Sequence, residues 1–301
     1  MQTTPRRLKP NVKRALWLIT MLLLVGLFYW RAQLIQVAQP AETPLKTTQS
    51  AIKNNPTASE VKAKLNQQWT KQLAKNSDIP ISTAVYSKQY DFTLALNNHK
   101  SEAHTTASIV KVAMLTQLLH QHAQNHETLS GTERAAAVGA IEHSNNVDAT
   151  TLYHAIGKVQ GLTTLFSNLD MSQSHAYASG WVSTTTTASD QLKLLDVVFG
   201  HGNYLTAKSK AYIKDLMQHV AKDQNWGISA GSRDFALKNG WRLNGNNTWI
   251  VNSIGQIGSG NHSATIAILT DQNTSLKNGI ATVEKFAKLT GDTLNLPTSR
   301  N

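Results

Sequence analysis

Residues 108–119 read Ser-Ile-Val-Lys-Val-Ala-Met-Leu-Thr-Gln-Leu-Leu. A serine is followed three residues later by a lysine, at the head of a run that predicts a helix over 107–124. Val110, Val112, Ala113, Leu115, Leu118 and Leu119 make that helix apolar. Ser108 falls in its first turn, where backbone N–H groups and the helix dipole favour developing negative charge. Lys111 lies on the same face, within reach of the hydroxyl. Burial on an apolar helix lowers a lysine's pKa, and a neutral amine can take a proton from a serine. An ordinary N-terminal serine beside a surface lysine is the plainer reading of these four residues taken alone.

Two further signals follow in order: Ser144-Asn145-Asn146, expected on a loop between helices, and Lys238-Asn239-Gly240, expected on a strand. With Ser108 and Lys111 they supply a nucleophile, a lysine one turn away, a hydroxyl–amide pair and a second lysine. A serine acyl-transfer enzyme that moves protons with lysine rather than histidine needs that set. Lys238 could orient Ser144 and attract a substrate carboxylate, Asn239 could donate from its amide, and Gly240 would let a substrate backbone approach the sheet edge. Ser-Asn-Asn before Val147 also reads as a helix N-cap, and both roles are compatible. Similar tripeptides recur at Ser50–Lys53, Ser59–Lys62, Ser259–Asn261 and Lys277–Gly279. Their contexts are a polar linker, a helix start, a Gly-rich turn and the start of the last helix, so they carry no such reading.

The rest of the pattern frames these motifs. Val61, Leu65, Trp69 and Leu73 recur every four residues and predict an amphipathic helix over 59–75. Ile81–Tyr86 and Phe92–Leu96 predict a hairpin. Helical stretches are expected over 132–142 and near 147–156, 159–168, 187–199 and 206–220. Strand character returns at Phe235–Trp241, Trp249–Gly255 and Ala264–Leu269, with Asn244-Gly245 as the turn between the first two. Leu276–Leu289 closes the domain as a helix. Helix, strands, many helices, strands, helix predicts an α+β fold: an antiparallel sheet built from both ends, flanked by terminal helices, with an all-α insert. The domain is expected over 59–297, its sheet part over about 59–103 plus 233–297 and its helical part over about 104–232.

The three motifs in this order resemble the penicillin-recognising serine enzymes, and the flanking segments are most similar to class A β-lactamases, over essentially all of 59–295. Thr184–Phe199, Trp226-Gly227-Ile228 and the stretch from Ser144 to Leu169 also match. The resemblance implies that Ser108 is acylated by β-lactams or by the acyl-D-Ala-D-Ala peptides they mimic. It implies that Ser144 relays a proton to the leaving nitrogen, that Asn146 binds the substrate amide carbonyl, and that the N–H groups of Ser108 and Trp241 form an oxyanion hole. Asn145 stands where the family commonly has aspartate, and Asn239 where it has a hydroxyl residue that meets the substrate carboxylate. Class A β-lactamases deacylate with a glutamate on a loop after the Ser-x-Asn motif; the corresponding residues 171–184 (MSQSHAYASGWVST) contain no acid, and Asp170 only borders them. The resemblance therefore leaves three outcomes open: a β-lactamase with slow deacylation, a penicillin-binding D,D-peptidase, or a non-catalytic wall-binding domain of the same fold.

Ala15 to Trp30 is an uncharged apolar run preceded by Arg6, Arg7, Lys9, Lys13 and Arg14. A single-pass signal-anchor helix over 15–30 is expected, with residues 1–14 as a cytoplasmic tail, 31–58 as an extracytoplasmic linker and the domain outside the cell membrane. A cleaved signal peptide is the rival, against which stands the lack of a small-x-small site after the run. The 301 residues carry a formal charge of +11 and no cysteine, which excludes disulfides and thiolate zinc sites. The basic balance suits a polyanionic envelope; there is no nucleic-acid motif. His122 and His126 share a helical face without an evident third ligand, so no metal and no cofactor are expected. Glu142 and His143 read as helix-end residues. A monomer is expected.

Overall fold

The computed structural model describes residues 11, 17, 20–27, 29–30, 55–98 and 103–298, in two units, 1–54 and 55–301. In the first unit, residues 20–27, 29 and 30 are helical and exposed. Among the described residues no helix is long and apolar enough to cross a membrane. Of the expected span over 15–30, residues 17, 20–27, 29 and 30 are described; of the linker over 31–58, only residues 55–58 are.

The second unit opens with α1 (Ala58–Ala74), started by a capping box in which Thr57 Oγ1 accepts from Glu60 N and the Glu60 carboxylate accepts from Thr57 N. Its four-residue stripe Val61, Leu65, Trp69 and Leu73 is buried as expected. The hairpin of β1 (Ile81–Ser87) and β2 (Phe92–Asn97) turns through Asp91 at φ 47°. After the short β3 (His104–Thr105) comes a 3-10 turn, Ala107–Ile109, and then α2 (Val110–Gln124). The serine thus sits in a tighter turn ahead of the α-helix rather than inside it. The helices α3 (Gly131–Ile141), α4 (Asn146–Ala155) and α5 (Val159–Asn168), the short β4 (Thr185–Thr186), α6 (Ala188–Phe199) and α7 (Ala207–Gln218) complete the helical segment. Strands β5 (Phe235–Leu243), β6 (Trp249–Ser259) and β7 (His262–Asn273) and the closing α8 (Leu276–Thr293) follow.

The sheet has the order β2-β1-β7-β6-β5 and is antiparallel throughout, so the N-terminal hairpin joins the C-terminal strands through β1 and β7. Alternation along the strands feeds two cores. Leu237, Val251, Ile257, Ile266 and Ile268 face α1 and α8. Ala84, Ala236, Ile254, Ala267 and Leu269 face the helical segment, whose centre is α2, with ten consecutive buried residues from Val110 to Leu119. A helix apolar on every side has to be surrounded, and α2 is. Lys111 is carried into that core by its neighbours.

One turn differs from the sequence reading. The β5–β6 connection is a five-residue loop, 244–248, closed by Asn244 N donating to Thr248 O at 2.7 Å. The residue in the left-handed region is Asn247, at φ 59°, rather than Gly245. Asn246 Oδ1 accepts from both Thr248 N and Thr248 Oγ1, a local turn bond that competes with the two-residue alternative.

Candidate active site

Two elements place Ser108. The preceding segment is tied to the residue just ahead of β4 by Thr106 N donating to Thr184 O at 2.8 Å. It is tied to the sheet by Asn252 Nδ2, which donates to Thr105 O at 2.9 Å and Thr106 O at 3.2 Å. Ala107 is then driven to φ 47°, a conformation rare for a residue with a Cβ. The turn lies so close to β5 that a Cβ on Gly240 would be 2.6 Å from Thr106 O and 2.8 Å from Ser108 N. The space a side chain at 240 would need is thus occupied by the Ser108 turn. Ser108 is half-buried, and its hydroxyl has no hydrogen-bond partner among the described residues.

Lys111 is fully buried, with Nζ donating to Ser144 O at 2.7 Å, Ser144 Oγ at 3.3 Å and Asn146 Oδ1 at 2.9 Å. These account for the three protons of an ammonium. Burial pulls its pKa down to about 8, opposed by the attraction of Asp148. Lys238, also fully buried, donates from Nζ to Ser144 Oγ at 3.0 Å and to Asn239 O at 3.0 Å. Burial, and then the repulsion of Lys111, hold its pKa well below the ordinary lysine range. The Ser144 hydroxyl is therefore shared by two lysines from different elements. Its backbone is at φ 54°, on the loop between α3 and α4.

The hydroxyl–amide motif caps a helix, one of the two roles read from the sequence. Asn145 Oδ1 caps α4 by accepting from Val147 N at 2.8 Å and Asp148 N at 3.2 Å. Asn146 gives its Oδ1 to Lys111, which leaves its Nδ2 as a donor at an exposed position. Glu142 is the C-cap residue of α3, a helix-end role.

Two expectations change. Asn239 is on the strand but points away from Lys238: it is 1 % exposed, and its Nδ2 donates to Gln224 O at 2.9 Å and Trp226 O at 3.0 Å. Alternation along a strand sends neighbours to opposite faces, so this amide is not offered to a carboxylate. The Trp241 ring likewise packs edge-on against Trp226, with centroids 5.6 Å apart. Residue 242, two past Gly240, is back on the site's face, and Arg242 Nη1 donates to Val182 O at 3.2 Å. The period-2 rule would have found Arg242 in the sequence. His122 is 17 % exposed, with Nε2 3.1 Å from Glu133 Oε1 and Nδ1 3.3 Å from Glu127 Oε2.

Residues 171–184 reach the site through Trp181, which no motif or periodicity singles out. It is 7 % exposed, its ring centroid is 5.1 Å from Lys111 Nζ, and its Nε1 donates to Thr150 Oγ1 at 3.3 Å. Two carboxylates beside this loop, Asp190 and Asp170, are engaged elsewhere. Buried Asp190 accepts from Gln173 N and Ser174 Oγ, both at 2.9 Å, and fixes the base of the loop. Asp170 is exposed and paired with Lys193 at 3.6 Å.

No family model matches the sequence, and no curated protein matches it. Solved structures do. A class A β-lactamase representative from Bacteroides cellulosilyticus is 14 % identical, with a TM-score of 0.66 over 80 % of this chain and 99 % of that one. A β-lactamase from Chitinophaga pinensis is 14 % identical, with a TM-score of 0.66 over 76 % and 98 %. An ancestral class A β-lactamase is 16 % identical, with a TM-score of 0.61 over 76 % and 99 %. The sheet assembled from both ends of the domain and the helical segment between its strands therefore form the class A β-lactamase fold.

Proposed function

We propose that the protein is a serine acyl-transfer enzyme that forms an acyl-enzyme at Ser108 with β-lactams or acyl-D-Ala-D-Ala peptides and releases it slowly. The observation that carries this reading is the pair of fully buried lysines meeting at Ser144 Oγ, one of them a single helical turn from Ser108. Burying two amines side by side opposes folding, and such perturbed groups concentrate where chemistry needs them.

At pH 7 a lysine of pKa about 8 is neutral in about a tenth of molecules. In that state Lys111 can accept the Ser108 proton while Oγ attacks the substrate carbonyl carbon. The carbonyl oxygen becomes an oxyanion; by resemblance the N–H groups of Ser108 and Trp241 receive it. β5 is the edge strand of its sheet, so part of its backbone is free of sheet pairing to meet a substrate. As the C–N bond breaks, Ser144 Oγ gives its proton to the leaving nitrogen and is reprotonated by Lys238 or Lys111. Asn146 Nδ2 donates to the substrate amide. Arg242, rather than Asn239, supplies the positive charge for a substrate carboxylate. Breakdown of the ester needs a water and a base, and residues 171–184 offer no carboxylate for it. The apolar run at 15–30 and its basic flank support a membrane anchor that places this chemistry outside the cell.

Incubation with a fluorescent penicillin, read by gel and by intact mass, tests the proposal. One adduct per chain is expected on the wild type, and none on a folded Ser108→Ala variant. An unlabelled wild type would favour the non-catalytic wall-binding domain, and label persisting on the variant would remove Ser108 from its role.

A further inference from the structure

Trp181 is held from several sides. Its loop is fixed at the base by Asp190 and by Thr106 on Thr184 O, and at the tip by Arg242 on Val182 O. Its Nε1 is committed to Thr150 on α4. What remains toward Lys111 is the face of the indole, 5.1 Å from Nζ. An indole has one N–H donor and no acceptor nitrogen, so it can neither take a proton from Lys111 nor orient a water for it. Its face favours the ammonium electrostatically and excludes solvent from the same direction. With the ammonium's three protons directed to Ser144 O, Ser144 Oγ and Asn146 Oδ1, Lys111 is closed to water on the Trp181 side.

We propose that Trp181 is a positioning residue that keeps hydrolytic water away from Lys111 and thereby sets the lifetime of the ester at Ser108. This rests on the acyl-enzyme reading above and extends it: slow release follows from an occupied position as well as from a missing carboxylate. Hydrolysis of the ester needs water oxygen to bond the acyl carbon, one water proton to pass to a base, and Ser108 Oγ to leave and recover a proton. On the acyl-enzyme reading Lys111, one helical turn from Ser108, is the base for this step, and the indole denies it a water. Removing the ring admits one. The released acid and free Ser108 then balance the equation with no further reactant.

The experiment uses the full chain, labelled to completion with a fluorescent penicillin, freed of excess reagent and followed by intact mass. In Trp181→Ala the adduct should disappear roughly 10-fold faster than in the wild type, short of the ~10²–10⁴ a designed general base contributes. Trp181→Phe, which keeps a ring over Lys111 and loses the Thr150 bond, should stay near the wild-type lifetime. A purely structural role would place Phe between the two, in step with its melting temperature. The pH dependence separates them further. The groups facing Lys111 are Ser144, Asn146 and Asp148 at the start of α4, Lys238 on β5 and Trp181 itself. Decay in Trp181→Ala should rise with pH as the lysine loses its proton, while decay in the wild type stays flat. If Trp181→Ala does not fold, Trp181→Leu takes its place with the same expectation. Equal lifetimes in labelled wild type and variants would overturn this inference alone, and a wild type that never takes label would overturn the acyl-enzyme reading with it.

Discussion

Adding one methyl group at residue 240 should disable acylation without touching any reactive atom. A Cβ there would lie 2.6 Å from Thr106 O, 2.8 Å from Ser108 N and 2.9 Å from Ile109 N. All three are backbone atoms, so no side chain can swing aside. Ordinary contact begins at 3.4 Å, which requires the Ser108 turn and β5 to separate by about 0.8 Å at the tightest point. The turn is not free to retreat, because Asn252, paired with Gly240 across β5 and β6, holds Thr105 O and Thr106 O. Overpacking of this kind costs about 1–3 kcal/mol, or roughly 2–12 °C in Tm for a domain of this size. The chemical effect is larger, since a displacement near 1 Å at the reacting group costs roughly 10²-fold. Labelling of Gly240→Ala by a fluorescent penicillin should be slower by about that factor, in a protein whose melt is still cooperative. Labelling within about threefold of wild type would refute the claim that glycine is required by the close approach of the turn.

Further outcomes can be checked directly. The acylation rate should rise about tenfold per pH unit below pH 8 and level off above it, because the neutral form of Lys111 is the base; a profile flat from pH 6 to pH 9 would exclude that role. Lys111 is depressed in the folded chain, so between about 8 and its ordinary 10.5 the unfolded chain binds more protons and stability rises with pH. Urea midpoints should therefore climb between pH 8 and pH 9.5 in the wild type relative to Lys111→Met, and parallel slopes would count against a charge-penalised lysine. Ser144→Ala should slow labelling by ~10²-fold or more, since it removes the hydroxyl that joins the two lysines; an unchanged rate would take Ser144 out of the proton path. Protease added to intact cells should release the domain by cutting in the stretch 31–58, and protection of an accessible chain would reverse the proposed topology.

The local code fixed much of this protein. Four-residue spacing marked α1, β-formers on either side of polar turns marked the hairpins, and the apolar run after Ser108 marked the central helix. The order of elements was enough to predict a sheet closed from both ends, because strands flanking a helical insert have no other way to bury their apolar faces. The residues proposed to react were legible for a related reason: Ser108 and Lys111, and Ser144 and Asn146, are close in the chain, so spacing carries much of their placement.

What spacing could not carry was decided by packing between distant segments. Strand alternation turns Asn239 inward against Gln224 and Trp226 and Arg242 back toward Val182. The glycine at 240 was read as room for a substrate, whereas the space is filled by the Ser108 turn, a contact across more than 130 residues that no local pattern encodes. Trp181 had no periodicity to announce it, and it reaches Lys111 because a loop anchored at Asp190 and Thr184 folds over the helix. The sequence determined which groups are present and which elements carry them. The tertiary structure decided which of them lose water, and with it the two lysine pKa values on which the proposed chemistry depends.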